Sequence, residues 1–380
     1  MYKQRGLVLI IVLWFSIVIA VMVATLASEI RLSAKVVTHN EDNLQQWGNI
    51  LTALRMAEME LLMARMPPSV DDIERQEYIT DNKNWGYRFD GSEIQLAYPL
   101  PDNISVRIYD HAGKINLRRL SRQRMREILE KQLGDNDPAK LEELQEAWED
   151  WVDSDNDKRM NGAEKEHYER LDIPYQPRNA SLETIDELLL VKGYDEVFKD
   201  FPLDTAFTVY GNSAGINPNL ATREALMLVP GLNATVIDMI IAKRQMEEFK
   251  NQAQLLDFIS EYLTVEDAHK TRSWFNFSTS NYYTIAIQVT SPEEEYQASE
   301  NNDQDDKDKK ERNIDEDTET IVLQNDRAYL VMLQVRSSQR KPKVLMIKPY
   351  GLLPDMRNAV AISEEELADL VNKNSMMNGN

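Results

Sequence analysis

From Leu7 to Ala27 the chain carries an uncharged apolar run broken only by Ser16 and Thr25. As a helix this run measures roughly 31 Å at 1.5 Å per residue, about one hydrocarbon core. A helix satisfies its own backbone polar groups, so it is the form in which such a segment enters lipid. The run is longer than a secretory h-region, and no small-residue A-x-A site follows it. Lys3 and Arg5 precede it, so the positive-inside rule puts the short N-terminus in the cytoplasm. Everything after about Ser28 then lies outside, which in a bacterium is the periplasm. Residues 7–28 are thus expected to form a single-pass anchor in the bacterial inner membrane.

The helical pattern continues beyond the membrane. Leu44, Trp47, Leu51, Leu54, Ala57 and Leu61 recur at spacings of three and four, which makes one buried stripe. Met66 is the last residue the helix can include, because Pro67-Pro68 breaks the hydrogen-bond ladder. Residues 29–66 are therefore expected to extend the anchor helix onto a soluble domain. The methionines at 56, 59, 63 and 66 read as gap-fillers of its packing.

Strand-like stretches follow: "WGYRFDG", "EIQLAYPL" and "ISVRIYD", with turn signals at Asp90-Gly91 and Pro101-Asp102. Similar runs return late in the chain as "YYTIAIQVT", "RAYLVMLQV" and "KVLMIKPY". Between Ala112 and Asn281 the pattern is mostly helical. Strands, then helices, then strands predict a sheet with a helical insertion, an α+β fold, in place of two domains in series. The expected boundaries are 67–111 and 282–350 for the α/β core, 112–281 for an inserted all-α domain, and 351–380 for a C-terminal tail.

Charge narrows the function. The formal net charge is −21, which opposes nucleic-acid binding, since phosphates require Lys and Arg on one face. Much of it is local: residues 293–319 hold 13 acidic and 4 basic side chains, a net of −9. The segment 291–320 is too polar to bury a core and reads as an acidic disordered loop. There is no cysteine, which excludes disulfides, thiolate chemistry and cysteine-held metals.

The sharpest chemical stretch is "EDWVDSDNDKRMNGAEKEHY", residues 149–168. Asp153, Asp155 and Asp157 stand at loop positions 1, 3 and 5, and Glu164 at position 12, the oxygen-ligand positions of a calcium-binding EF-hand loop. Position 6 departs from that pattern, with Lys158 in place of Gly. Clustered carboxylates repel one another unless a cation joins them, so these four are the expected ligands of a hard cation, the alternative being a solvated acidic turn. Calcium is favoured over magnesium for an all-protein oxygen cage.

"TREALMLVPGLNATVIDMIIAKRQ" (222–245) has the form of a helix-hairpin-helix, with Pro230-Gly231-Leu232 as the hairpin and Asn233 as the next helix cap. DNA-binding versions read Gly-hydrophobic-Gly, whereas Asn233 stands at the second Gly here, and no Lys or Arg follows before Lys243. A shorter copy, "TIDELLLVKG" at 184–193, aligns with "TREALMLVPG" at 222–231 and suggests tandem hairpin-like repeats. "GNSAG" (211–215) matches the G-x-S-x-G pattern of hydrolases with Ser213 central, but "INPN" follows where a helix is needed. The histidines at 39, 111, 167 and 269 form no metal-binding pair.

In order along the chain, "KQRG" before the apolar run, "YDHAGKINLRRL", "DWVDSDNDKRMNGAE", "IPYQPRNASLETIDELLLVKG" and "GINPNLATREALMLVPGL" resemble the K-type minor pseudopilin of type II secretion. That resemblance implies a pilin-like fold, with the long helix packed on a small antiparallel sheet and the helical domain inserted into it. It implies calcium near the Asp-rich stretch. It implies that residues 1–6 are a leader cut after Gly6 by a prepilin peptidase, with N-methylation of Leu7. Ordinary pilins carry Glu as the fifth mature residue, to meet a neighbour's terminal amine; here that position is Ile11. A subunit with nothing above it has no such partner, and a lone buried charge is costly, so Ile11 fits the pseudopilus tip. The implied function is a non-enzymatic one: initiating and capping the pseudopilus with I-type and J-type minor pseudopilins and the major pseudopilin, during export of folded proteins across the outer membrane. The alternative from the hairpin is a membrane-tethered periplasmic DNA-binding protein.

Overall fold

The computed structural model describes residues 5–65, 88–96, 99–134, 137–289, 327–336 and 341–354. The acidic stretch 291–320 and Met66 lie outside them. The chain divides into two compact units, residues 1–53 and 54–380.

The first unit is helical throughout its described length and forms most of α1, Arg5–Ala64. Within it Val12–Arg31 is long and apolar enough to cross a membrane by length and composition. Val12, Leu13, Trp14, Phe15 and Ile17 are all exposed on this helix. Contiguous apolar surface of this kind needs a covering of lipid or protein.

The second unit begins with the last turns of α1, where Leu54, Ala57 and Leu61 are buried, as the sequence spacing predicts, whereas Leu44, Trp47 and Leu51 of the same predicted stripe are exposed. Its five-stranded antiparallel sheet has the order β1-β2-β5-β6-β7. The strands are β1 Asp90–Glu93, β2 Ile104–Asp110, β5 Tyr282–Val289, β6 Arg327–Gln334 and β7 Lys343–Leu352. β2 and β5 are neighbours from Ile104↔Val289 to Asp110↔Tyr283, so everything between them, residues 111–281, is inserted into one strand connection. Arg65, just past α1, donates to the Tyr283 hydroxyl at 3.0 Å and lies over its ring.

Four sequence expectations need correction here. Asp90-Gly91 is not a turn but opens β1, where the register slips between Asp90 and Glu93 and Gly91 takes φ 92. Glycine at positive φ is what a bulged strand requires. Among the described residues of "EIQLAYPL", Glu93 alone is in a strand; Ile94, Gln95 and Leu96 lie past the end of β1, and Ala97 and Tyr98 lie outside the described residues. The core extends to Leu352 instead of ending at Tyr350, because Gly351 and Leu352 pair with Ala328 and Arg327. Nor is the insertion all-α: β3 Ile115–Asn116 pairs in parallel with β4 Phe207–Thr208. The Asn116 side chain donates to the Tyr210 and Gly211 carbonyls and holds the two segments in step.

The rest of the insertion is short helices, chiefly α2 Arg122–Leu133, α3 Pro138–Val152, α4 Lys165–Tyr168, α5 Tyr194–Phe198, α6 Leu203–Ala206, α7 Arg223–Met227, α8 Ala234–Met246, α9 Gln252–Ser260 and α10 Val265–Arg272. Side-chain caps explain several starts: Ser121, Asp137, Thr222, Asn233, Asn251 and Thr264 each accept from a backbone N–H three residues on. One core, including Leu144, Trp148, Trp151, Tyr168, Phe207 and Ile240, runs through all of it.

The insertion is fastened to the sheet by buried polar contacts. His111 lies between Thr208 (2.7 Å) and Thr284 (2.8 Å), and burial pushes its pKa well below the usual imidazole value. Lys114 donates to the Asp204 carbonyl at 2.6 Å, while Lys348 of β7 reaches the Asp204 carboxylate at 2.7 Å. Within the insertion, its first residues are tied to its later part: Asn217 N–H donates to Ala112 O at 2.7 Å, and Thr222 N–H to Gly113 O at 3.3 Å.

Candidate metal centre

Asp153 caps the C-terminus of α3 and Glu164 precedes α4, so the loop 153–164 runs from one helix end to the next helix start. It brings carboxylate oxygens of Asp153, Asp155 and Glu164 within 4.8 Å of one another. Glu164 is buried, and neither of its oxygens has a hydrogen-bond partner; Asp153 Oδ1 has none either. Burial, with Asp150 and Asp153 nearby, pushes the Glu164 carboxyl up to about 7. Both Glu164 oxygens and Asp153 Oδ1 are buried acceptors without a donor, beside the exposed Asp155 carboxylate, an arrangement a hard cation resolves, since carboxylate oxygens are its preferred ligands. The residues present therefore fit a calcium ion.

Asp157, the fourth expected ligand, is not brought to this cluster. Its side chain is exposed, and its N–H donates to Asp155 Oδ1 at 2.8 Å. A turn closed on Asp155 orients that carboxylate while sending the Asp157 side chain to solvent.

Three residues of the site escaped the sequence reading. Asp150, fully buried, and Asp153 share Arg159, whose Nη1 lies 2.5 Å from Asp150 Oδ1 and 2.6 Å from Asp153 Oδ2; its Nε lies 3.1 Å from Glu149. The hydrogen bonds to Asp153 and Asp150 hold the guanidinium more firmly protonated than usual. Asn179, at φ 50, donates to the Asp155 carbonyl at 2.6 Å and to Asn156 Oδ1 at 3.0 Å, clamping the loop from outside. The signal for Asp150 was its i, i+3 spacing from Asp153 on one helix face. Arg159 and Asn179 had none.

A pH and calcium response follows. The cation-free fold holds a proton on Glu164 that the unfolded chain gives up near 4.5, so stability falls as pH climbs from about 4.5 through about 7. Calcium requires the ionised carboxylate and releases that proton. Calorimetric titration at pH 7 in two buffers of different ionisation heat is expected to register release of about half a proton per ion. Calcium at 100 times its Kd is expected to add about 2.7 kcal/mol of stability. Glu164→Gln should abolish the proton release and most of the stabilisation.

The other singled-out residues lie elsewhere. Gly6, Leu7 and Ile11 are in α1. Pro230, Gly231 and Leu232 form the turn between α7 and α8, with Gly231 at φ 81 and Asn233 capping α8. Gly193, its counterpart in the upstream copy, also has positive φ, but the residues before it are a 3-10 helix. The turn lines a groove of about 830 Å³ shared with Glu127, Glu130, Glu261 and Asp267. Lys131, whose pKa burial lowers to about 8, donates to the Val229 and Leu232 carbonyls at 2.6 and 2.9 Å. Four carboxylates in the lining disfavour a phosphate. Ser213 bonds the Gly215 carbonyl and amide and accepts from Asn276, the role of a turn residue.

Part of the chain is similar to known proteins of type II secretion. The family profile described as "Type II secretion system (T2SS), protein K" matches residues 113–200, the segment that holds the loop 153–164. The "Type II secretion system protein K" of Pectobacterium carotovorum subsp. carotovorum is 38% identical over 68 residues, 18% of this chain. The aligned segment spans 20% of that relative's length. Among solved structures, the chain is similar to one in the GspK-GspI-GspJ complex from the type 2 secretion system of enterotoxigenic Escherichia coli. The match has a TM-score of 0.48 at 15% identity and covers 83% of this chain and 99% of the other.

Proposed function

From the similarity of residues 113–200 to type II secretion protein K, we propose that this chain is the K-type minor pseudopilin at the tip of the pseudopilus. It would initiate and cap assembly with I-type and J-type minor pseudopilins above the major pseudopilin, without turnover of any substrate. The observation that carries this reading is where the matched domain lies. It opens the connection between two antiparallel neighbours, β2 and β5, of a sheet that follows a long helix with an apolar first half. A domain in that place would obstruct further stacking of subunits. Ile11 supports the same position, since it offers no charge to a neighbour's amine.

The metal centre has a structural part in this. Asp153, Asp155 and Glu164 would hold calcium, which supplies charge neutralisation where the loop joins α3 to α4. Arg159 neutralises the adjoining Glu149 and Asp150, and Asn179 keeps the loop in register.

The test of the pilin-like part is the N-terminal mass of the protein expressed in the inner membrane with and without a prepilin peptidase. Loss of residues 1–6 and a methylated Leu7, only with the peptidase, is the expected result. An intact Met1 beside an active peptidase would make residues 7–28 a plain anchor.

A further inference from the structure

The second unit leaves one strand bare. Val344, Ile347, Tyr350 and Leu352 of β7 are 44%, 48%, 79% and 39% exposed. Val344 pairs with Leu333, Ile347 with Val331 and Leu352 with Arg327, with two register shifts between these pairs. Leu333, Val331 and Arg327 alternate along β6, and cross-strand partners share a face, so the shifts gather Val344, Ile347 and Leu352 on one side of the sheet. Leu333 also pairs with Tyr283 and Val331 with Ile285, which identifies that side as the one Arg65 grips at the end of α1. Over β5 and β6 this face is buried at Tyr283, Ile285, Val331 and Leu333. Over β7 it is open, and β7 is the edge strand.

The chain itself supplies a cover of matching chemistry. Residues 355–380 come after β7 in the sequence and include "ISEEELADLVNK", 362–373. Ser363 and Glu366 have the spacing of a capping box, and Ile362 and Leu367 that of the hydrophobic staple around it. Leu367, Leu370 and Val371 follow at i, i+3, i+4, the spacing that places apolar side chains on one helix face. Reach is sufficient: Pro354 to Ile362 spans up to about 26 Å, against roughly 33 Å for all of β7. Charge agrees as well, with Glu364, Glu365, Glu366 and Asp369 in the segment and exposed Lys341 and Lys343 at the head of the strand.

We propose that residues 362–373 dock on the bare face of β7 beside α1, joining Leu367, Leu370 and Val371 to Val344, Ile347 and Leu352. This cover takes the apolar side chains on one face of an edge strand out of water.

The absence of native cysteine makes the test clean. Ile347→Cys in the full chain in detergent, labelled with a benzophenone maleimide, is irradiated and the cross-linked peptides are identified by mass. The expected product is an intramolecular cross-link to 362–373, with the reciprocal probe at Leu370→Cys marking 343–352. Leu367→Glu with Leu370→Glu is expected to lower that yield about tenfold or more, since each buried leucine shifts a docking equilibrium by at least that factor. Cross-links to any other part of the chain would overturn the proposal. So would cross-links between two chains, which would make a second copy the occupant, or a yield indifferent to the two glutamates.

Discussion

Arg159→Met is expected to destabilise the cation-free protein by about 3 kcal/mol or more, the cost of removing one partner of a buried charge group. Fully buried Asp150 would lose its counter-charge while Glu149 and Asp153 stand beside it. Thermal unfolding followed by near-ultraviolet absorption of Trp148 and Trp151, which lie on α3 beside the loop, reads this directly. At roughly 2–4 °C per kcal/mol for a protein of this size, the midpoint should fall by about 6–12 °C. Saturating calcium should restore part of the loss, because a cation at Asp153 relieves the same repulsion. Lys in place of Arg should restore less than the native residue, since only a guanidinium spans Glu149, Asp150 and Asp153 at once.

The second large effect is expected at the root of the insertion. Gly113 has the backbone of Leu220 against it, so that a Cβ would overlap the Leu220 carbonyl. Gly113→Ala must push apart the two segments joined by Asn217 N–H to Ala112 O and Thr222 N–H to Gly113 O. Overpacking of this kind costs about 1–3 kcal/mol, and each buried backbone bond left open adds about 1–3 kcal/mol. Limited proteolysis should then cut near residues 111–116 and 276–281 and release the insertion, while the native chain resists at both places. The sheet itself should survive, since β2, β5 and β6 pair independently of Gly113.

The fold was legible in the sequence where its signals are periodic. The buried end of the α1 stripe at Leu54, Ala57 and Leu61, the late strands except the last two residues of β7, and the interruption of the sheet by helices all follow from apolar spacing. What escaped depends on partners distant in sequence. Asp90-Gly91 reads as a turn by composition, yet β2 recruits it into a bulged strand. Ile115-Asn116 is too short to carry a strand pattern, and it pairs only because Asn116 reaches Tyr210 and Gly211. At the metal centre the carboxylates were visible as loop spacing. The exclusion of Asp157 and the entry of Arg159 were not, because the EF-hand pattern assumes a glycine where Lys158 stands. Asn179 contributes from a second loop, and no local spacing could have named it.

The central claim is that this chain assembles as the K-type member of a minor-pseudopilin tip. The most direct measurement mixes its periplasmic part with the matching I-type and J-type proteins and determines the mass of the product by light scattering after gel filtration. The claim predicts a single species with one copy of each chain, formed in calcium and keeping the insertion folded. An I–J pair that elutes without this chain, in calcium and at micromolar concentration, would contradict it.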